Sequence, residues 1–307
     1  MDRKENIQWP NGKKFAFTVV DDTDHATTAR VKPIYDLLCD LGLLTTKTVW
    51  VYGHENDRYD DTETLEDPDY LEFIRDLQRK GFEIAFHGAR GISSEREMVL
   101  KALEDFKEKL GAYPRMHVNH AQNEDNLYWT FTRLFKIQQW LHQSGLKKYG
   151  TRGTGYGASE GSSYFWGDAA SEHIDYVRAG SFRDINTLAV NPEMPYYEKR
   201  FPHVKAWFSG SNGMQFDKFL NLISIENQNR LMEEGGLCIV NTHFGLDRFL
   251  SRDGQSVDRE FASRLRHLSQ LDGWFAPASE ILDFLADRNG GIKTVNALKF
   301  WLKTRNK

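Results

Sequence analysis

The sequence predicts an α/β protein in which about seven parallel strands close into a barrel that is covered by helices. Apolar β-branched runs alternate with amphipathic helical patterns along most of the chain. The length of 307 residues suits one large α/β domain or two small ones. Polar residues also recur where the predicted strands end, as they do at the mouth of a parallel barrel.

Four strands and four helices are predicted in the first half. The strands cover residues 15–20, 46–53, 82–88 and 116–120. The helices cover residues 29–41, 68–80, 95–110 and 127–143. Thr27 or Thr28 can cap the first helix, and Asp67 before a proline can start the second. Ser94 and Glu97 have the spacing of a capping box for the third helix.

The second half gives a weaker pattern between residues 150 and 215, where only 176–180 and 206–210 are predicted as strands. Clear periodic patterns resume after residue 236 and predict a strand at 237–244, a helix at 258–270 and a last helix at 280–287. We therefore expect one barrel domain over residues 1–290. Residues 291–307 form a basic amphipathic tail, predicted to dock on the barrel or on a neighbouring subunit rather than on a membrane.

Composition narrows the class of partner and the compartment. The formal net charge is −4, so no basic surface indicates nucleic acid as a partner. The two cysteines, Cys39 and Cys238, lie in apolar runs and are expected to be buried thiols in a reducing compartment. The N-terminal residues contain no apolar signal-like run, so a cytoplasmic location is expected.

The strand ends carry the residues that indicate chemistry. Five predicted strands are followed by acidic, histidine or amide side chains: Asp21, Asp22, His54, His87, Asn119, His120, Asn241, Thr242 and His243. Because the carboxyl ends of parallel barrel strands meet on one face, these side chains are expected to converge there. A lone histidine or an acidic pair after a strand is usually a loop or cap residue, but the convergence of several favours a site.

The motif F-T-V-V-D-D resembles the T-F-D-D motif of the polysaccharide deacetylases, the NodB-homology carbohydrate esterases. G-F-E-I-A-F-H-G resembles the segment that carries the first metal-binding histidine of that family, and C-I-V-N-T-H-F resembles its last motif. The resemblance covers about residues 14–287. It implies a distorted (β/α)7 barrel and the hydrolysis of an N-acyl, usually N-acetyl, group on a sugar.

The resemblance also implies roles for four residues. It implies Asp21 as general base, Asp22 and His87 as metal ligands, and His243 as general acid. The family has a second histidine four residues after the first, where this chain has Gly91.

The position of the third metal ligand therefore has to be argued from the remaining residues. The arginine that the family's third motif carries is also absent from the stretch M-H-V-N-H-A-Q-N. We predict His120 as the third ligand, with His25 and Asp24 as rivals. His117 is expected to face away behind the barrel, because it lies an odd number of residues from His120.

The predicted cofactor is a divalent metal, with zinc as the first choice. Asn119, Arg152 and Trp166 are predicted to contact substrate or to orient the base, and Arg178 is a further candidate for this. The predicted function is removal of an N-acyl group from a sugar or sugar conjugate by metal-activated water. The alternatives are a metal-free amidohydrolase similar to the allantoinase-like relatives, and a non-catalytic glycan-binding protein. The oligomeric state is left open.

Overall fold

The computed structural model describes residues 7–53, 61–129, 131–145 and 155–296. Ten strands are assigned within these ranges: β1 (Phe15–Asp21), β2 (Thr46–Val49), β3 (Glu83–Phe86), β4 (Met116–His117), β5 (Tyr176–Phe182), β6 (Tyr196–Tyr197), β7 (Ala206–Asn212), β8 (Leu237–Thr242), β9 (Gly273–Phe275) and β10 (Lys293–Thr294). Seven of them form a closed parallel ring in the order β1, β2, β3, β4, β5, β7 and β8, and β8 pairs back with β1. The predicted α/β barrel is confirmed.

Ten α-helices surround or close the barrel within the same ranges. They are α1 (Thr28–Asp40), α2 (Pro68–Arg79), α3 (Arg96–Leu110), α4 (Lys136–Gln143), α5 (Gly167–His173), α6 (Thr187–Val190), α7 (Phe216–Leu222), α8 (Ile225–Glu233), α9 (Arg259–Gln270) and α10 (Ala278–Arg288). No helix in the described part of the chain has the length and apolar character needed to cross a bilayer. Both residues of β10, which lie in the predicted tail, pair with β6, and residues 297–307 of that tail lie outside the described ranges.

The first residues of α1 and α3 test the helix caps that were predicted from the local sequence. Thr27 caps α1, because its side chain accepts a hydrogen bond from the backbone N–H of Arg30. The predicted capping box is wrong: α3 begins after Glu95, and the backbone N–H of Ser94 donates instead to the Asp125 carboxylate at 3.1 Å. A tertiary partner thus replaces the local cap.

The predicted helix at 127–143 is wrong in its first half, since the described residues there form only a short 3-10 helix (Phe131–Arg133) before α4. The backbone N–H of Leu127 donates to the side chain of Asn119, and the N–H of Gly157 donates to the carbonyl oxygen of Asn126. A helix that begins at residue 127 would have used the Asn126 carbonyl as an acceptor for its own first turn, so the bond from Gly157 takes the place of a helical hydrogen bond. The helices α5, α6, α7 and α8 were not predicted from the sequence.

Side chains of the ring strands alternate between two cores. Inward residues such as Ala16, Val20 and Ile239 pack together inside the barrel, which α10 closes at one end. Outward residues such as Phe17 and Val19 pack against the surrounding helices. Because successive side chains on a strand point to opposite faces, this alternation continues into the polar residues that follow each strand.

Candidate metal centre

Five strands and the loops that follow them bring six polar side chains together at the barrel mouth. The strands are β1, β3, β4, β5 and β8, and the side chains are Asp22, Asp24, His87, His120, Arg178 and His243. Four of the six were predicted from the strand ends. Asn241 lies one layer deeper in the barrel, where its amide donates to the hydroxyl of Ser181 at 2.6 Å. His54 lies outside the described residues.

Asp24 is the carboxylate at the centre of this cluster. Its Oδ1 lies 3.0 Å from Nε2 of His120, and its Oδ2 lies 3.3 Å from Nε2 of His87 and 3.5 Å from Nε2 of His243. Burial alone would raise the pKa of Asp24, but the interactions with His120 and His87 hold that pKa well below its ordinary value. The carboxylate is therefore ionised in a buried position.

The donor set of Asp24, His87 and His120 fits a divalent metal ion. Their ligand atoms all lie within 4.8 Å of one another. Two atoms that each lie about 2.1 Å from zinc in a tetrahedral site are about 3.4 Å apart, close to the separations observed here. Burial lowers the pKa of His87, which favours the neutral imidazole that a metal requires.

Unsatisfied polar atoms support the same fit. Within the described residues, neither ring nitrogen of His87 has a hydrogen bond, and neither does Oδ2 of Asp24. Buried polar atoms are almost always hydrogen-bonded, so a facing pair without a bond indicates a missing partner. A cation between the two atoms would satisfy both.

Asp22 is held by an arginine rather than by the histidines. The guanidinium of Arg178 donates to its two carboxylate oxygens at 2.7 and 2.6 Å. Burial raises the pKa of Asp22, but Arg178, together with His87 and His243, holds the pKa below its ordinary value. The carboxylate between the two histidines is thus Asp24, the rival ligand, and not Asp22.

His25, the other rival ligand, lies at the rim. Its Nδ1 is 2.9 Å from the carboxylate of Asp61, and its side chain is 34% exposed. The structure therefore does not bring His25 into the donor set formed by Asp24 and the two buried histidines.

His243 lies on the solvent side of the cluster. Its Nδ1–H donates to the carbonyl oxygen of Met214 at 3.1 Å, because that oxygen can only accept. Its Nε2 is 3.8 Å from Asp22 Oδ2, and the side chain is 17% exposed, against 1% for His87. His243 can thus meet a substrate that the two buried histidines cannot reach.

Asp21 lies on the outer face of the barrel, which does not fit its predicted role as general base. Its carboxylate pairs with Lys47 of β2 at 2.9 Å, and both side chains are fully buried. It also accepts hydrogen bonds from the hydroxyl of Tyr35 and from the backbone N–H of Phe244. Burial lowers the pKa of Lys47, but Asp21, together with Tyr70 and Asp22, more than offsets this, so the pKa is raised. These contacts make Asp21 part of the packing beneath α1.

Two of the residues predicted to bind substrate are placed away from the mouth. The side-chain oxygen of Asn119 accepts from the backbone N–H of Leu127 at 3.1 Å and lies 3.0 Å from Nε2 of His117. Trp166 is buried, donates to the carbonyl oxygen of Asp125, and packs edge-on against His117. Neither position fits the predicted contact with substrate. Arg152 lies outside the described residues.

Replacing Trp166 with Phe should lower the free energy of unfolding by about 1–3 kcal/mol, because a buried hydrogen bond is lost and a small cavity forms. Urea unfolding measures this, and Trp140→Phe is the matched control, since Trp140 is 55% exposed. We expect no change in KM from either variant. A raised KM with unchanged stability would favour the predicted contact of Trp166 with substrate.

Trp50 was not predicted as a site residue from the sequence, although its ring lies against both His87 and His120. Its ring centroid is 5.8 Å from that of His87 and 5.3 Å from that of His120. Counting alternate residues from Thr46 along β2 could have placed this side chain at the mouth. Trp50 forms an apolar wall that helps to fix the orientation of the two imidazoles.

Comparisons with known structures agree with the fold. The chain is similar to a Mycobacterium smegmatis protein assigned to the polysaccharide deacetylases, with a TM-score of 0.55, 16% identity, and coverage of 95% of this chain and 96% of that one. It is also similar to PuuE allantoinase, with a TM-score of 0.50, 14% identity, and coverage of 90% and 91%. Protein-family models and curated protein sequences give no match. The predicted resemblance to polysaccharide deacetylases is confirmed for the fold.

Proposed function

We propose that the protein is a metal-dependent hydrolase that removes an N-acyl group, most simply N-acetyl, from a sugar or sugar conjugate. The observation that carries this proposal is the set of Asp24, His87 and His120 beside a second carboxylate, Asp22, and a more accessible histidine, His243. The barrel shared with a protein assigned to the polysaccharide deacetylases supports the reaction class.

Asp24, His87 and His120 would hold the metal. Two nitrogen donors and one carboxylate are a ligand set that zinc accepts while one position stays open. When bound, the ion would act as a Lewis acid toward the acyl carbonyl and would lower the pKa of a water molecule.

Asp22 is proposed as the general base. Each carboxylate oxygen has two lone pairs, and Arg178 occupies one on each, so both oxygens can still accept a proton. Arg178 also fixes the plane of the carboxylate and keeps it ionised, because it lowers the pKa of Asp22.

His243 is proposed as the general acid for the departing amine. Its Nδ1–H is held by Met214, so Nε2 faces Asp22 and Asp24. From this position Nε2 can donate a proton to the leaving nitrogen when the ring is in its acid form. Amide hydrolysis needs such a donor, because an amine anion is a poor leaving group.

The test is the metal content of the protein, purified without added metal or chelator, by plasma mass spectrometry. We expect about one equivalent of divalent metal in the wild type and less than about a tenth of that in Asp24→Ala. Release of free amine from a panel of N-acetylated amino sugars should be lost in the same variant and after treatment with a chelator.

Asp36→Ala is the matched control, because Asp36 is an exposed residue of α1 that pairs with Lys32. It should keep both metal and activity. Amine release by metal-free protein would instead identify a metal-free amidohydrolase. Glycan binding without metal and without turnover would identify the binding-protein alternative.

A further inference from the structure

Asn123, in the loop after β4, contacts the ring of His120. Its Oδ1 lies 3.3 Å from Nδ1 of His120, and its Nδ2 donates to the carbonyl oxygen of Arg90 at 3.4 Å. A main-chain carbonyl can only accept, so the amide nitrogen must face Arg90 and the amide oxygen must face the ring. Nδ1 of His120 therefore carries the proton of this hydrogen bond.

The opposite edge of the ring faces Asp24. His120 Nε2 lies 3.0 Å from Asp24 Oδ1. With its proton on Nδ1, a neutral imidazole presents a lone pair at Nε2, directly against the lone pairs of a carboxylate. This contact is unfavourable unless a cation lies between the two atoms or the ring takes a second proton.

We propose that Asn123 is a positioning residue that fixes His120 in the tautomer whose Nε2 binds the metal. This inference rests on the metal site of the proposed function. Both side chains are buried, so water does not compete for Nδ1. A hydrogen bond to the far nitrogen orients a metal-binding imidazole and raises its basicity.

Asn123 also connects the two loops that carry the histidines. The carbonyl oxygen of Arg90 accepts a hydrogen bond from the side-chain amide of Asn123. Arg90 lies in the loop after β3 that begins with His87. This chain has Gly91 where the deacetylase motif has a second histidine, so its second nitrogen donor comes from the loop after β4. Asn123 therefore contacts the ring of that donor and the loop of His87 at the same time.

Asn126 provides a matched comparison in the same loop. Its Nδ2 donates to the carbonyl oxygen of His120 at 2.6 Å, so it holds the backbone of His120 but not the ring. Asn126→Leu and Asn123→Leu each remove one buried carboxamide from one loop. Only Asn123→Leu removes the hydrogen-bond acceptor that faces Nδ1 of His120.

The experiment measures zinc affinity by competition with a chromophoric chelator for the wild type and three variants. Asn123→Leu should bind zinc about 10- to 100-fold more weakly than the wild type. Asn123→Asp should bind within about 3-fold of the wild type or more tightly, because its carboxylate still accepts from Nδ1. Asn126→Leu should lower the unfolding temperature but keep most of the zinc affinity.

Two results would overturn the inference while leaving the proposed function intact. One is wild-type affinity in Asn123→Leu. The other is an equal loss of affinity in Asn123→Leu, Asn123→Asp and Asn126→Leu. That result would show that zinc affinity depends on the structure of the loop and not on the tautomer of His120. Failure of the wild-type protein to bind zinc would overturn the proposed function and this inference together.

Discussion

Asp22→Asn should lower kcat/KM by about 10²- to 10⁴-fold and leave the bound metal in place, because it removes a general base without touching the proposed ligands. The neighbouring substitution Asp21→Asn should leave kcat nearly unchanged and reduce stability. Asp22 faces the mouth and Arg178, whereas Asp21 is buried against Lys47 on the outer face.

The two variants are matched, since each changes one oxygen of one of two adjacent carboxylates. Steady-state kinetics, metal content and urea unfolding should be measured on both. Loss of metal in Asp22→Asn would return Asp22 to the ligand role that the sequence motif implies. Loss of turnover in Asp21→Asn at normal stability would support the predicted role of Asp21 as the base.

Lys47→Met should lower the free energy of unfolding by about 3–5 kcal/mol, because it leaves the buried Asp21 carboxylate without its counter-ion. The pair is fully buried, so solvent cannot replace the lost charge. Tyr35 and the backbone N–H of Phe244 still donate to Asp21, but neither carries a positive charge.

The double variant Asp21→Asn/Lys47→Met should recover about 2 kcal/mol or more of that loss. It removes both charges and keeps an amide oxygen that can accept from Tyr35 or Phe244. Urea unfolding of the wild type, the two single variants and the double variant gives a double-mutant cycle, which measures the interaction between the two side chains. Additive losses would show that the two side chains do not interact, contrary to their 2.9 Å contact.

Much of the fold could be predicted because the signals are local. The apolar runs of β1, β3 and β8 and the stripes of α1 and α9 follow strand and helix periods. Apart from α4, residues between β4 and β5 could not be assigned in this way. Their backbone groups bond to distant partners, as the N–H of Gly157 does to the carbonyl oxygen of Asn126, so local patterns do not report their structure.

The sequence by itself determined that Asp22, His87, His120 and His243 end strands of one parallel barrel, and hence that they meet. Only the tertiary structure decided which carboxylate joins the histidines. Strand alternation separates Asp21 from Asp22, but the direction of Asp24 depends on the loop after β1 and on its contact with His120. Likewise, Arg178 is 156 residues from Asp22, and no local pattern encodes a pair at that separation. Such contacts arise only when the strands close into a ring.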